Sequence, residues 1–172
     1  MDFMDLCRTR YSVRRFDTRP VEAEKLAQIL EAGRLAPTAH NYQPQRIYVL
    51  QSEAALARLA GLSRMCYGAP LILLVCYDRE RSWKSTPETF GEFYDSGEMD
   101  ACIVGTQMMN MATELGLGTL WVRGFHAQQV HDAFELPDNI VVSFFLDVGY
   151  PAENSVNRHV PRKDLEETVT KL

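Results

Sequence analysis

The sequence predicts one mixed helix-and-strand domain, and three observations predict it. The run Pro70 to Tyr77, within "PLILLVCYD", is continuously apolar and rich in branched residues, as a central strand buried on both faces requires. Asp100 to Leu115 repeats its apolar residues at helical spacing. Across 172 residues no internal repeat, low-complexity segment or composition break marks a second domain. A chain this long can bury a sizeable core. Its 46% hydrophobic and 24% charged residues are ordinary for a globular protein.

The elements follow in order. Phe3, Leu6 and Cys7 are spaced for a short opening helix, which "RYSVRRF" then breaks. Pro20, Glu22 and Glu24 suit a helix start, since proline fits the first turn and acids fit the positive end of the dipole. Leu26, Ile29 and Leu30 form its apolar stripe, and Gly33 and Pro37 bracket its end. Ile47–Leu50 reads as a strand, Ala54–Leu62 as a helix, and "PLILLVCYD" as the central strand. The stretch Arg79–Gly97, "RERSWKSTPETFGEFYDSG", is polar and irregular, a surface excursion carrying Trp83 and Phe93. Asp100–Leu115 carries apolar residues around much of its circumference, which implies burial from more than one side and admits a second subunit as the other cover. "GLGTLWVRGF" ends that helix at Gly116 and enters a short strand. Gln128–Phe134 reads as a helix, "IVVSFFLDVGY" as a strong strand, and the charged tail as marginally helical.

Composition excludes several function classes. A net charge of −5 argues against nucleic acid, whose phosphates need a basic excess. Against that background Arg8, Arg10, Arg14, Arg15 and Arg19 crowd into one segment, which suggests a small anion rather than a polymer. Cys7, Cys66, Cys76 and Cys102 are scattered and form no CxxC pair, so they read as buried small hydrophobes in a reducing compartment. The start "MDFMDLCRTR" has no apolar signal region, and Pro70–Tyr77 is too short to span a bilayer. A cytoplasmic enzyme or binding protein, with no membrane partner, is the expectation.

Few motifs carry chemistry alone. "GLGTLW" is not a dinucleotide-binding loop: Trp121 replaces the third glycine and the helix precedes the strand. No HExxH or paired carboxylates accompany His40, His126, His131 and His159, so no metal site is expected. GxSxG is absent. Two segments remain. In "RTRYSVRRF", arginines around a serine can converge on one phosphate, or form a solvated loop paired with acids. In "RLAPTAHNYQPQRIYVL", Asn41 and Gln43 offer donor and acceptor together, for a heteroaromatic edge or for their own turn. Without an acid–base or nucleophile set, an enzyme of this sequence takes its reactivity from a cofactor.

Together these stretches resemble the nitroreductase family of FMN-dependent oxidoreductases. "RYSVRRF" is similar to R-x-S-[VI]-R-x-F, and "PVEAEKLAQILEAGRLAPTAHNYQPQRIYVL" to the block containing A-P-[ST]-x-x-N-x-Q-P. "ATELGLGTLWVRGF" and "GYPAENSVNRHVPRKDLEE" resemble the two later segments. The resemblance implies an α+β fold, a mixed and largely antiparallel sheet flanked by helices, in an intertwined homodimer with FMN at the subunit interface. Arg10 and Arg162 would then hold the FMN phosphate and Ser12 the ribityl chain or phosphate. Tyr11 belongs to the same segment. Arg14 would reach the phosphate or the N1–C2 side of the ring, where a positive charge is stabilising. Pro37, Thr38, Ala39 and Asn41, with Gln43 beyond them, would line the ring from the partner subunit. Val122, Arg123 and Gly124 would present backbone to N5 and O4. The implied activity is hydride transfer from NADH or NADPH, by a ping-pong mechanism, to electron-poor acceptors such as nitroaromatics and quinones. A flavin sensor or carrier, or a same-fold enzyme of other chemistry such as reductive dehalogenation, is the alternative.

The sequence also departs from the family. Arg79–Gly97 stands where longer members carry helical insertions over the substrate channel. "LSRMCYG" lacks the basic and amide residues that such members place before the second strand. Val160 replaces a basic residue, with Arg158 and His159 beside it. Arg123 stands where many members have a small or acidic residue, which is expected to bias the pocket toward anionic substrates or the nicotinamide cofactor's phosphates.

Overall fold

A computed structural model describes residues 2–158 and 161–172. His159 and Val160, where the sequence departs from the family pattern, lie outside the described residues. Four strands form the main sheet: β1 (Gln45–Leu50), β2 (Leu71–Asp78), β5 (Gly118–Val122) and β6 (Ile140–Gly149), in the order β1-β2-β6-β5. All their pairings are antiparallel. The parallel pairing of this α+β architecture is a bridge between Ser12 and Thr119, where the Val13 N–H donates to the Thr119 carbonyl at 2.9 Å.

Alternation on the two central strands divides the core. Ile72, Leu74 and Cys76 face one apolar cluster, and Leu71, Leu73 and Val75 the other. The helix α3 (Glu53–Ala60) packs its Leu59, and α6 (Ala127–Ala133) its Val130, into the first cluster. The second is covered by α2 (Ala23–Arg34) and α5 (Gly97–Glu114). β6 carries a bulge: Val75 pairs with Phe144 and Cys76 with Val142, leaving Ser143 unpaired in the ladder. Its hydroxyl donates to Glu98 Oε2 at 2.9 Å.

α5 lies directly on the sheet because Gly105 faces the stacked rings of Trp121 and Phe144, whose centroids are 3.6 Å apart. A Cβ at this position would collide with Phe144. One chain buries Ala101, Val104, Met108 and Ala112 of α5, while Cys102, Ile103 and Met109 stay half-exposed and Met99 is exposed. Within this chain the sheet covers α5 on one side and α2 covers it on another.

Several boundaries differ from expectation for identifiable reasons. α2 starts at Ala23 with Glu22 at the N-cap, so Pro20 precedes the helix. Gly33 is inside it, where a Cβ would lie 2.8 Å from Met108 Cγ; close helix packing, not termination, explains that glycine. The Arg79–Gly97 excursion is ordered as a ribbon, β3 (Lys84–Ser85) with β4 (Tyr94–Asp95), enclosing the single turn α4 (Pro87–Phe90). Cys66 and Cys76 are buried as expected, but Cys7, on the opening helix α1 (Phe3–Thr9), is exposed. The tail folds only as the turn α7 (Leu165–Thr168). Among the described residues, no helix is long and apolar enough to cross a membrane.

Candidate active site

The basic segment leaves α1 at Arg10, whose backbone N–H closes the helix on the Leu6 carbonyl at 2.9 Å. The chain then runs extended beside β5, pinned by the Ser12–Thr119 bridge. Arg10 is half-buried, with Nη1 4.0 Å from Met109 Sδ on α5. Burial first, then the charge of Arg162, holds its guanidinium below the ordinary pKa, with Cys7 acting the other way. The fold thus brings together two arginines from opposite ends of an acidic chain. Arg10 and Tyr11 border a cavity of about 170 Å³ with Thr113, Gly118 and Pro151. Arg14 is exposed and donates to the Ser12 carbonyl at 3.4 Å. With Arg15, Ser155 and Arg158 it lines an adjoining cleft of about 230 Å³. Tyr11 joins the two sides through its hydroxyl, 3.3 Å from Ser155 Oγ.

The amide-rich loop is a second station. After Pro37, the Ala39 N–H donates to Asp100 Oδ1 at 2.8 Å, and the Ser96 hydroxyl donates to Oδ2 of the same buried carboxyl at 2.8 Å. The Gln43 N–H donates to Thr38 Oγ1 at 3.0 Å. Between these anchors His40, Asn41 and Gln43 have φ of 51°, 57° and 51°. Three left-handed non-glycine residues in four positions are strained, and such strain concentrates at functional sites. The Asn41 side chain is exposed; the Gln43 side chain, also exposed, serves its own turn by donating from Nε2 to the Asn41 carbonyl at 3.2 Å. His40 stacks on Trp83 of the excursion, ring centroids 5.2 Å apart and planes 14° from parallel. Asp100 and Met109 are nine residues apart on α5, about 13.5 Å along its axis, so loop and arginines occupy different stations on the same helix.

The third station is the end of β5. Val122 is buried in the core, whereas Arg123 and Gly124 are exposed beyond it. Arg123 lies over the Phe125 ring at 5.4 Å from the centroid. The Gly124 carbonyl accepts the Ser63 hydroxyl at 3.4 Å, and a Cβ there would press on Met65 Sδ at 2.7 Å. The segment "LSRMCYG" therefore supports this corner through Ser63. Sequence reasoning missed Ser63, and it missed Asp100 as the anchor of the loop: an acid in a helix's first turn reads as a dipole partner, and its contact across the fold has no local signal. No group of His, Cys, Asp and Glu that could hold a metal occurs among the described residues.

The antiparallel four-stranded sheet covered by helices on both faces, with the arginine segment, the strained amide loop and the corner after β5 at its edges, places the chain among α+β proteins of one family. The sequence matches the nitroreductase family profile over residues 7–67 and 61–150, so the chain belongs to the nitroreductase family. A nitroreductase family protein of Clostridium difficile 630 superposes with a TM-score of 0.91 at 36% identity, covering 99% of this chain and 98% of that one. A nitroreductase of Desulfovibrio desulfuricans, solved in complex with FMN, superposes at 0.81 with 28% identity over 98% and 95% of the chains. The FMN reductase [NAD(P)H] of Bacillus subtilis is 31% identical over 86% of this chain and 65% of its own length.

Proposed function

We propose that this chain is an FMN-dependent NAD(P)H oxidoreductase that reduces electron-poor aromatic acceptors, acting as a homodimer. The observation that carries the reading is Arg10, half-buried against α5 at the border of a cavity and within the field of Arg162. A guanidinium placed there offers the fork geometry that a phosphate matches. The residues present fit FMN in this respect: Arg10, with the charge of Arg162 acting on it, for the phosphate, a hydroxyl at Ser12, and an exposed Asn41 amide on the loop. FMN, when bound, supplies the two-electron chemistry, exchanging hydride with NAD(P)H and then with the acceptor. The chain's own residues do the rest. Arg10 and Arg162 would hold the phosphate, and Arg14 would bring positive charge toward the ring. Gly124, lacking a side chain, would let the backbone approach. Pro37, Thr38, Ala39, Asn41 and Gln43, anchored by Asp100 at Ala39 and by Thr38 Oγ1 at Gln43, would form a preformed wall for the partner subunit's site. With one exposed flavin face, the order would be ping-pong, the oxidised nicotinamide leaving before the acceptor enters.

The relatives' names support this reading, since one similar structure holds FMN and one relative is an FMN reductase. Purified protein is expected to be yellow, and NADH or NADPH added without air to bleach it. Menadione or a nitroaromatic should then restore the colour. A colourless preparation that FMN does not reconstitute overturns the proposal. Yellow protein that neither nicotinamide bleaches favours a carrier or sensor instead.

A further inference from the structure

Arg15 and Arg158 belong neither to the core nor to the flavin contacts proposed above, yet the fold brings them to one cleft. Other arginines of the basic segment have partners: Arg8 pairs with Asp5 at 3.3 Å, and Arg19 lies over the Tyr150 ring, 3.3 Å from its centroid. Arg14, Arg15 and Arg158 form no ion pair among the described residues. With Asn154 and Ser155 these three arginines line the cleft of about 230 Å³. Glu153, the acid nearest in the chain, is exposed and does not line it. A cleft bordered by one sign of charge concentrates counter-ions, here in a chain of net charge −5.

Backbone pairing builds the cleft. Phe16, buried in the core, forms an antiparallel bridge with Pro151. The Ala152 N–H donates to the Arg15 carbonyl at 3.0 Å, and the Asp17 N–H to the Tyr150 carbonyl at 2.8 Å. A turn closed by the Ser155 N–H on the Ala152 carbonyl, at 2.8 Å, then brings Ser155 back to the basic segment. There Ser155 Oγ accepts the Tyr11 hydroxyl at 3.3 Å, which leaves the serine's own hydrogen to donate into the cleft. The walls therefore offer guanidinium forks and a neutral hydroxyl donor, the donor set that a phosphate matches.

We propose that Arg15, Arg158 and Ser155 bind the phosphate monoester of a nucleotide substrate, either the 2′-phosphate of NADPH or the 5′-phosphate of a free flavin acceptor. The inference rests on the function proposed above and adds the group by which that site selects its substrate. A phosphate monoester carries about two negative charges near pH 7 and three free oxygens. The diester linkages inside a dinucleotide carry less charge and fewer free oxygens, so forked donors favour the monoester. The cleft admits a phosphate rather than a whole nucleotide, and the remainder of the substrate extends toward Tyr11 and Arg14, beside the proposed flavin site.

The test uses the yellow holoprotein and two ratios of kcat/KM: NADPH to NADH with menadione as acceptor, and FMN to riboflavin as acceptors with NADH. Arg158→Ala and Arg15→Gln are each expected to lower one ratio about tenfold, the effect of losing a charge-assisted contact. Turnover of NADH with menadione should stay as in the wild type, and Arg15→Lys should recover part of the loss. A fall in the first ratio assigns the cleft to the 2′-phosphate of the dinucleotide; a fall in the second assigns it to the flavin acceptor. If both ratios match the wild type, the inference is overturned. It is also overturned if Arg158→Ala weakens binding of the FMN cofactor as much as Arg10→Ala does, since the cleft is then part of the cofactor's own phosphate site. A wild type that NAD(P)H does not bleach sinks the proposed function instead. Calorimetry of inorganic phosphate, wild type against Arg15→Gln, reads the cleft without any turnover, and equal binding by the two proteins overturns it there.

Discussion

Arg10 touches Met109 and lies within the field of Arg162, a placement that suits the proposed binding of the FMN phosphate. Arg10→Ala is therefore expected to weaken FMN by about 1.5–3 kcal/mol, the range of a charge-assisted contact, with little change in unfolding. Fluorescence titration of apoprotein checks this; an unchanged FMN dissociation constant contradicts the assignment. Arg123, exposed beyond β5, is expected to favour anions. Arg123→Ala should raise KM for NADPH and for anionic acceptors several-fold, and equal KM values in both proteins would refute that role. Asp147 makes a different prediction. It lies between Ile72 and Leu120 in the ladder, fully buried, and neither carboxylate oxygen has a hydrogen-bond partner. Burial pushes its carboxyl up to about 9. The folded protein then keeps a proton that the unfolded chain releases near pH 4, so stability falls as pH rises from about 4 to about 9. The slope is at most about 1.4 kcal/mol per pH unit. Asp147→Asn should flatten that decline and be the more stable protein at pH 8. Urea unfolding across pH 5 to 9 reads both effects, and parallel pH profiles contradict them.

The loop from Pro37 to Pro44 shows how an element can be strained and still well placed. Each left-handed non-glycine residue costs on the order of 1–3 kcal/mol, and the anchors at Asp100 and Thr38 Oγ1 hold the conformation against that cost. Asp100→Ala leaves the Ala39 N–H without its partner and should destabilise the protein by about 1–3 kcal/mol. It should also weaken FMN more than its effect on unfolding accounts for, because the ring wall is lost; Asp100→Asn, which keeps an acceptor oxygen, should be milder. Thermal melts with and without FMN measure the two effects, and a shift that FMN leaves untouched argues against the loop's role. The order of the elements was legible because each has a strong local pattern: "PLILLVCYD" for β2, the helical spacing of α5, Gly116 for the end of that helix. The ribbon β3–β4 was not, since two-residue strands leave no periodicity. The arginine segment and amide loop were legible as motifs. Their supports, Asp100, Ser63 and Trp83, were not, because contacts between distant segments leave no trace in spacing.

At the scale of the molecule, one chain leaves apolar surface uncovered: Met99 on α5, Leu35 after α2, and Leu165 and Val169 in the tail are all more than half exposed. That surface offers area for the proposed dimer, in which each loop would complete the other subunit's site. Sedimentation should give twice the monomer mass, and a monomer that binds FMN at full occupancy would exclude the shared site. The bulge at Ser143 has a consequence of the same reach. Before it, Ile140 and Val142 face the α3 and α6 side; after it, Phe145 does, while Phe144, Leu146 and Val148 face α5. One extra residue has inverted the strand's parity midway, much as a dropped stitch shifts a whole row. A regular ladder that paired Ser143 in place of the bulge would leave the sequence unchanged yet turn Phe144 away from Gly105 and swing the carboxyl of Asp147 toward α5. The hydropathy of "IVVSFFLDV" is indifferent to that choice, and a single unpaired serine makes it.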